Sequence, residues 1–138
     1  MIRENELMLG DIFEIELRDR VAQVKIIKVG NKQDADILLD GKEGVCLINS
    51  LIPLKLTDNM LIDYKFERRR IKTRNEEIND FFKLISDEYY ISLVKSGEKY
   101  NLSVKSVSGE KICDSYNIEY LHTLQNIVRS NIKLEIIY

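Results

Sequence analysis

The sequence contains no tryptophan, one proline, one histidine and two cysteines. Each scarcity excludes something. His122 and the distant Cys46 and Cys113 cannot supply the four nitrogen and sulfur ligands of a structural zinc cage. A triad needs a nucleophile, a base and an orienting acid within reach, and neither cysteine has a context that would activate it. His122 is better read as a boundary histidine, beside the apolar face of a helix, that hydrogen-bonds a neighbouring strand or loop. The glycines form neither GxGxxG nor GxxxxGK[ST], so no phosphate loop is present. Both cysteines lie in apolar, strand-like runs and are expected as buried free thiols of a reducing compartment.

Long apolar runs are lacking too. No stretch approaches the roughly 18–20 residues of a membrane span. The first ten residues carry Arg3, Glu4, Asn5 and Glu6 and lack the apolar centre of an export signal. A soluble, cytoplasmic chain is therefore expected. An excess of one charge is also missing: 32% of residues are charged, yet the net is −2 and the pI about 5.5. A sequence-independent DNA binder is normally clearly basic. Alanine occurs only at Ala22 and Ala35, and the abundance of Ile, Lys and Asn reads as an AT-rich coding bias.

What is present suffices for a core. With 44% hydrophobic residues over 138 positions, one compact unit spanning 1–138 is expected, made of a β half (1–56) and an α+β half (57–138). In the first half, Ile12 to Leu17 alternates, with Phe13, Ile15 and Leu17 on one face and Glu14 and Glu16 on the other. Arg18-Asp19-Arg20 is a polar turn. Val21 to Val29 is a longer strand whose doubled Ile26-Ile27 suggests a bulge or cover on both sides. Gly30-Asn31-Lys32 is a turn signal, followed by short strands at Ile37–Leu39 and Val45–Ile48. Strands at this spacing, led in by Leu9-Gly10-Asp11, predict an SH3-like small barrel.

Pro53 closes this half, because it cannot donate a backbone hydrogen bond and holds Ile52 extended. Thr57 is a good N-cap and Asp58 a favourable first-turn anion for a short helix over 58–65 that buries Leu61, Ile62 and Phe66. In 75–86, Ile78, Phe81, Phe82 and Ile85 fall at helical spacing behind a capping Asn75, which favours helix, with a strand over 81–85 as the alternative. Turns at Ser96-Gly97 and Ser108-Gly109 divide Tyr89–Val94, Tyr100–Val107 and Lys111–Cys113 into an antiparallel meander. A helix over 118–129 places Ile118, Leu121, Leu124, Gln125 and Val128 on one face and Glu119, Thr123, Asn126 and Ser130 opposite. Lys133 to Tyr138 reads as a terminal strand. The fold class expected is α+β: the small barrel, then short helices packed on the meander.

Two acidic groupings fail as sites. Counted from Asp34, with Asp36 and Asp40 following, an EF-hand would need Gly where Leu39 stands and Glu where Val45 stands. Glu14 and Glu16 are the wet face of a strand before they are an acid–base pair. One feature rises above background: Arg68-Arg69-Arg70-Ile71-Lys72-Thr73-Arg74, with five bases in seven residues. If extended, Arg68, Arg70, Lys72 and Arg74 share a face at roughly 7 Å intervals, near the phosphate spacing of a nucleic-acid strand. A solvated edge strand, whose charge blocks sheet-to-sheet pairing, gives the same pattern. Glu67, Glu76, Glu77 and Asp80 stand near enough to neutralise it.

Three segments in order, Glu6-Leu7-Met8-Leu9-Gly10-Asp11, Ile52-Pro53-Leu54-Lys55-Leu56-Thr57 and Tyr120-Leu121-His122-Thr123-Leu124-Gln125-Asn126, resemble a group of small proteins of gut Bacteroidetes and their phages and mobile elements. That group shows a G-D opening, a P-I-P-L-T hinge with a helix behind it, and a Y-V-H-Q-L-Q-N helix. This chain departs at Leu54-Lys55 and Thr123, and has Ile127-Val128-Arg129-Ser130 where the group has an aromatic-rich end. The resemblance implies an architecture and a genomic setting, and no catalytic role or cofactor. The expected function is that of a non-enzymatic accessory protein that binds a macromolecule through Arg68, Arg69, Arg70, Lys72 and Arg74. A protein partner is favoured over nucleic acid, with no membrane partner, no metal and no cofactor. A weak nucleic-acid binder is the alternative, and an enzyme of unrecognised type the second. A binding module of this kind implies an exposed basic run and no deep enclosed pocket.

Overall fold

The computed structural model describes residues 7–29, 33–72, 74–75 and 77–136. The expected turn at Gly30-Asn31-Lys32 and the residues Met1–Glu6, Thr73, Glu76, Ile137 and Tyr138 lie outside them. The chain divides into two units, 1–55 with 120–126, and 56–119 with 127–138.

The first unit is one antiparallel sheet of β1 (Ile12–Glu16), β2 (Val21–Val29), β3 (Asp34–Leu39), β4 (Lys42–Leu47) and β5 (Ile52–Pro53), in the order β4-β3-β2-β1-β5. Alternation sets its register: Phe13 stands opposite Val24 and Ile15 opposite Ala22, and Phe13, Ile15, Val24, Ile26, Ala35 and Ile37 are buried together. Each large side chain so buried contributes roughly 1.5–3 kcal/mol. The doubled isoleucine marks a bulge, since the β2–β3 register shifts between Ile26 and Lys28. The expected small barrel is not formed. β5 pairs only through Ile52 and Pro53, Pro53 has no N–H to extend the ladder, and β4 and β5 remain unjoined edges of an open sheet.

The second unit is a five-stranded antiparallel meander, β6 (Glu67–Lys72), β7 (Glu77–Leu84), β8 (Tyr89–Ser96), β9 (Lys99–Ser106) and β10 (Lys111–Ile118), in the order β10-β9-β8-β7-β6. It is preceded by helix α1 (Asp58–Asp63). Thr57 caps α1 by accepting from the Met60 amide at 3.2 Å, and Lys65 at φ 72° ends the turn. Leu61 and Phe66 are buried, whereas Ile62 is exposed.

Helix α2 (Leu121–Ile132) contributes 121–126 to the first unit and 127–132 to the second. Ile118, Leu121, Leu124, Gln125 and Val128 are all buried, but Ile118 closes β10 rather than opening the helix.

The fold is therefore mostly β, and the expected α+β arrangement with several helices is overturned. The favoured helix over 75–86 is strand β7. Phe81 is fully buried while Phe82 lies on the other face beside Tyr90. Adjacent aromatics that serve two faces of a sheet imitate the i, i+1 pairing of a helix stripe. The expected terminal strand is absent from 133–136: Lys133 takes φ 59° and donates back to Arg129 O, a left-handed helix stop.

Candidate functional site

β6 is the last strand of its sheet. One side pairs with β7 and no other described strand pairs with its far side. The register places Arg68 opposite Phe81, Arg69 opposite Asp80, Arg70 opposite Asn79 and Lys72 opposite Glu77. Successive side chains alternate, so Arg68, Arg70 and Lys72 share the core-side face and Arg69 the outer one. Arg74 falls in a bend beyond the strand and does not continue the row.

Two of the three arginines of the strand are tied down by hydrogen bonds. Arg69 donates through Nη2 to Asp80 Oδ2 at 2.5 Å, with its guanidinium 4.6 Å from the Phe82 ring centroid. Ser92 donates to the other Asp80 oxygen. This carboxylate is 8% exposed against 51% for Arg69, so a buried acid anchors an exposed base. Arg68 donates to Asn79 Oδ1, lies 5.7 Å from the Phe81 centroid and stands 3.9 Å from Asp58. Arg70, 61% exposed, is only 3.8 Å from Glu77. Pairing consumes two of the five donors on Arg68 and one on Arg69, and the others stay available.

Asp58, at the start of α1, collects three donors: Tyr100 OH at 2.5 Å, Lys95 Nζ at 3.1 Å and, at longer range, Arg68. Burial alone would push this carboxyl up; the Tyr100 hydrogen bond and the cations of Lys95 and Arg68 outweigh it and hold the carboxyl below its ordinary range. The Tyr100 phenol is driven the other way, well above its ordinary value, first by burial and then by Asp58. Behind β6, Lys83 points into the core and donates to the backbone carbonyls of Tyr64 and Ile136.

The outer face of this sheet is half-buried. It carries Phe82 against Tyr90, ring centroids 5.1 Å apart, and the polar pairs Ser92–Asp80 and Ser103–Asp114, with Lys111 on Asp114 at 2.7 Å. Asp80 and Phe82 back Arg69 on the outer face, and Asp58 and Tyr100 stand by Arg68 on the core side, partners that the basic run alone did not indicate. Asp80 and Phe82 were readable only if β7 was a strand. Asp58 and Tyr100 are 42 residues apart, and no local pattern links them.

The remaining sequence candidates are placed elsewhere. Cys46 and Cys113 are free and half-buried rather than buried. Burial, then Asp34 and Asp114 respectively, pushes both thiols up, away from the reactive thiolate. Cys46 borders an open groove of about 430 Å³ with Ile15, Leu17, Ile37, Leu39 and the backbone of Gly44. His122 lies against Phe13, centroids 4.8 Å apart, and Gln125 is buried in the same unit. No family model, no curated protein and no solved structure matches this chain.

Proposed function

We propose that the protein is a non-catalytic binding module that docks a macromolecular partner, a protein before a nucleic acid, along β6. The observation that carries this reading is Arg69: an exposed guanidinium held by the buried Asp80 and backed by the Phe82 ring. A side chain already fixed loses little freedom on binding, and arginines set among aromatics are typical anchors of protein interfaces. The net charge of −2 favours protein over nucleic acid, because a sequence-independent nucleic-acid binder is normally clearly basic. The phage or mobile-element setting implied by the three resembling segments belongs to the same proposal.

Nucleic acid stands as the second reading because Arg68, Arg70 and Lys72 alternate along one face of an open edge. The test immobilises the full chain and two variants, R70E/K72E and a Thr123→Ala control, in host lysate. Capture of a discrete protein by wild type and control, lost in R70E/K72E while circular dichroism shows that variant still folded, supports the reading. A shift assay at physiological salt runs beside it. Tight RNA or DNA binding that disappears in the same variant would replace the protein partner with nucleic acid.

A further inference from the structure

We infer that the partner of β6 is an acidic extended peptide that adds to the sheet as a sixth strand, with acidic side chains at alternate positions. The inference rests on the proposed role of β6 and names the chemistry that fits it. β6 ends a hydrogen-bonded meander, so alternate N–H and C=O groups of Glu67–Lys72 point away from β7. An incoming strand satisfies such groups and obtains main-chain affinity from them.

Side chains then decide which strand is accepted. On one face the newcomer meets Arg68, Arg70 and Lys72, spaced by roughly 7 Å. A peptide with Glu or Asp at i, i+2 and i+4 puts one carboxylate beside each base. On the other face it meets Glu67 and Arg69, and Arg69 is already paired with Asp80, so neutral residues fit there.

The same row selects against the other occupants of an open edge. A second copy of the chain would bring β6 against β6 and oppose cation to cation, which is destabilising in a cross-strand pair. An apolar strand would take water from these cations and add no counter-charge in its place. The bases at this edge act as a filter: they prevent self-pairing and admit an acidic strand.

The probe is a blocked ten-residue peptide alternating Glu and Thr, titrated into the full chain at physiological salt. An isomer with the same residues in two blocks tests spacing. A copy N-methylated at alternate positions along one edge tests the main chain. Oligothymidylate tests the nucleic-acid outcome.

Strand addition predicts that the alternating peptide binds about fivefold or more tighter than its block isomer, and that N-methylation weakens it about tenfold or more. Amide exchange should slow at alternate residues of β6, and R70E/K72E should abolish binding while circular dichroism shows the chain still folded. Equal affinity for the two isomers, indifference to N-methylation, or tighter binding of oligothymidylate than of any peptide overturns the inference. If no acidic peptide binds while the lysate partner is still captured through Arg70 and Lys72, strand addition fails and β6 remains the partner surface.

Discussion

Gln125 holds the backbone on both sides of Asp11: its side-chain oxygen accepts from the Ile12 amide at 3.0 Å, and its amide nitrogen donates to Gly10 O at 3.0 Å. The Asp11 carboxylate in turn accepts from the Met8 amide, and the Asp11 backbone accepts from Ile26 N. Close by, Leu121 N donates to Leu54 O, and Lys55 forms a bridge with Tyr120. The opening and hinge segments are thus each bonded to the helix segment. Their residues do structural work, and the basic edge lies outside them.

Gln125→Leu should leave a half-buried N–H and a half-buried C=O without these partners, at about 1–2 kcal/mol each. Urea denaturation should show a loss of roughly 2–4 kcal/mol on that basis. Thr123→Ala, on the other side of the helix, should cost under about 1 kcal/mol. Equal losses would show that the Gln125 clamp contributes nothing.

Leu121 and Leu124 are fully buried. Truncating either to Ala should cost about 2–5 kcal/mol, a large fraction of the roughly 5–15 kcal/mol that holds a domain of this size folded. Circular dichroism melts of the two variants, set beside Thr123→Ala, check the assignment.

Asp58 gives the protein an acid limb. Its folded-state pKa is depressed, so its contribution is full above the unfolded carboxylate value and is lost as pH falls through the folded value. Tyr100→Phe should weaken that limb by removing one donor to a charged acceptor, about 1.5–3 kcal/mol at neutral pH. Asp58→Asn should reduce the slope of stability against pH between about pH 5 and pH 2, with a remainder from Asp114, whose carboxyl Lys111 and Ser103 also hold down. A wild-type slope that persists undiminished in Asp58→Asn would place the titrating group elsewhere.

Arg69 and Arg70 are neighbours with different consequences for folding. Arg69→Ala strands the buried Asp80 carboxylate with Ser92 alone and should cost about 1–3 kcal/mol. Arg70→Ala, whose partner stands 3.8 Å away in the open, should stay within about 0.5 kcal/mol. A double-mutant cycle between Arg69 and Asp80 measures the coupling directly.

Gly44 and Gly41 separate backbone need from side-chain space. A Cβ on Gly44 would meet only Ile37 Cγ1 at 4.0 Å, so Gly44→Ala should stabilise β4 by about 0.5–1 kcal/mol. Gly41 sits at φ +79°, and Gly41→Ala should destabilise despite the open space around it. Thermal melts of opposite sign would confirm both.

Local chemistry in the chain determined much on its own. Alternation at Ile12–Glu16, the Thr57 cap, the bulge at Ile26-Ile27 and the apolar stripe of α2 depend on residues within a few positions of one another. Sterics, backbone hydrogen bonding and period act over that range. It also marked 68–74 as the densest charge, since that is a count of neighbours.

Only tertiary structure decided the rest. Phe81 and Phe82 read as one helix stripe until β6 and β8 flank them and give each ring a separate face. Whether the first sheet closes depended on a two-residue β5 that could not extend its ladder. Which bases stay available depended on Asp80 and Asp58, brought to β6 by strand pairing and by a helix start. The Gln125 clamp spans 113 residues to Ile12. Contacts of that separation form only when burial elsewhere has offset the entropy of closing the loop, and no local stretch of sequence contains that balance.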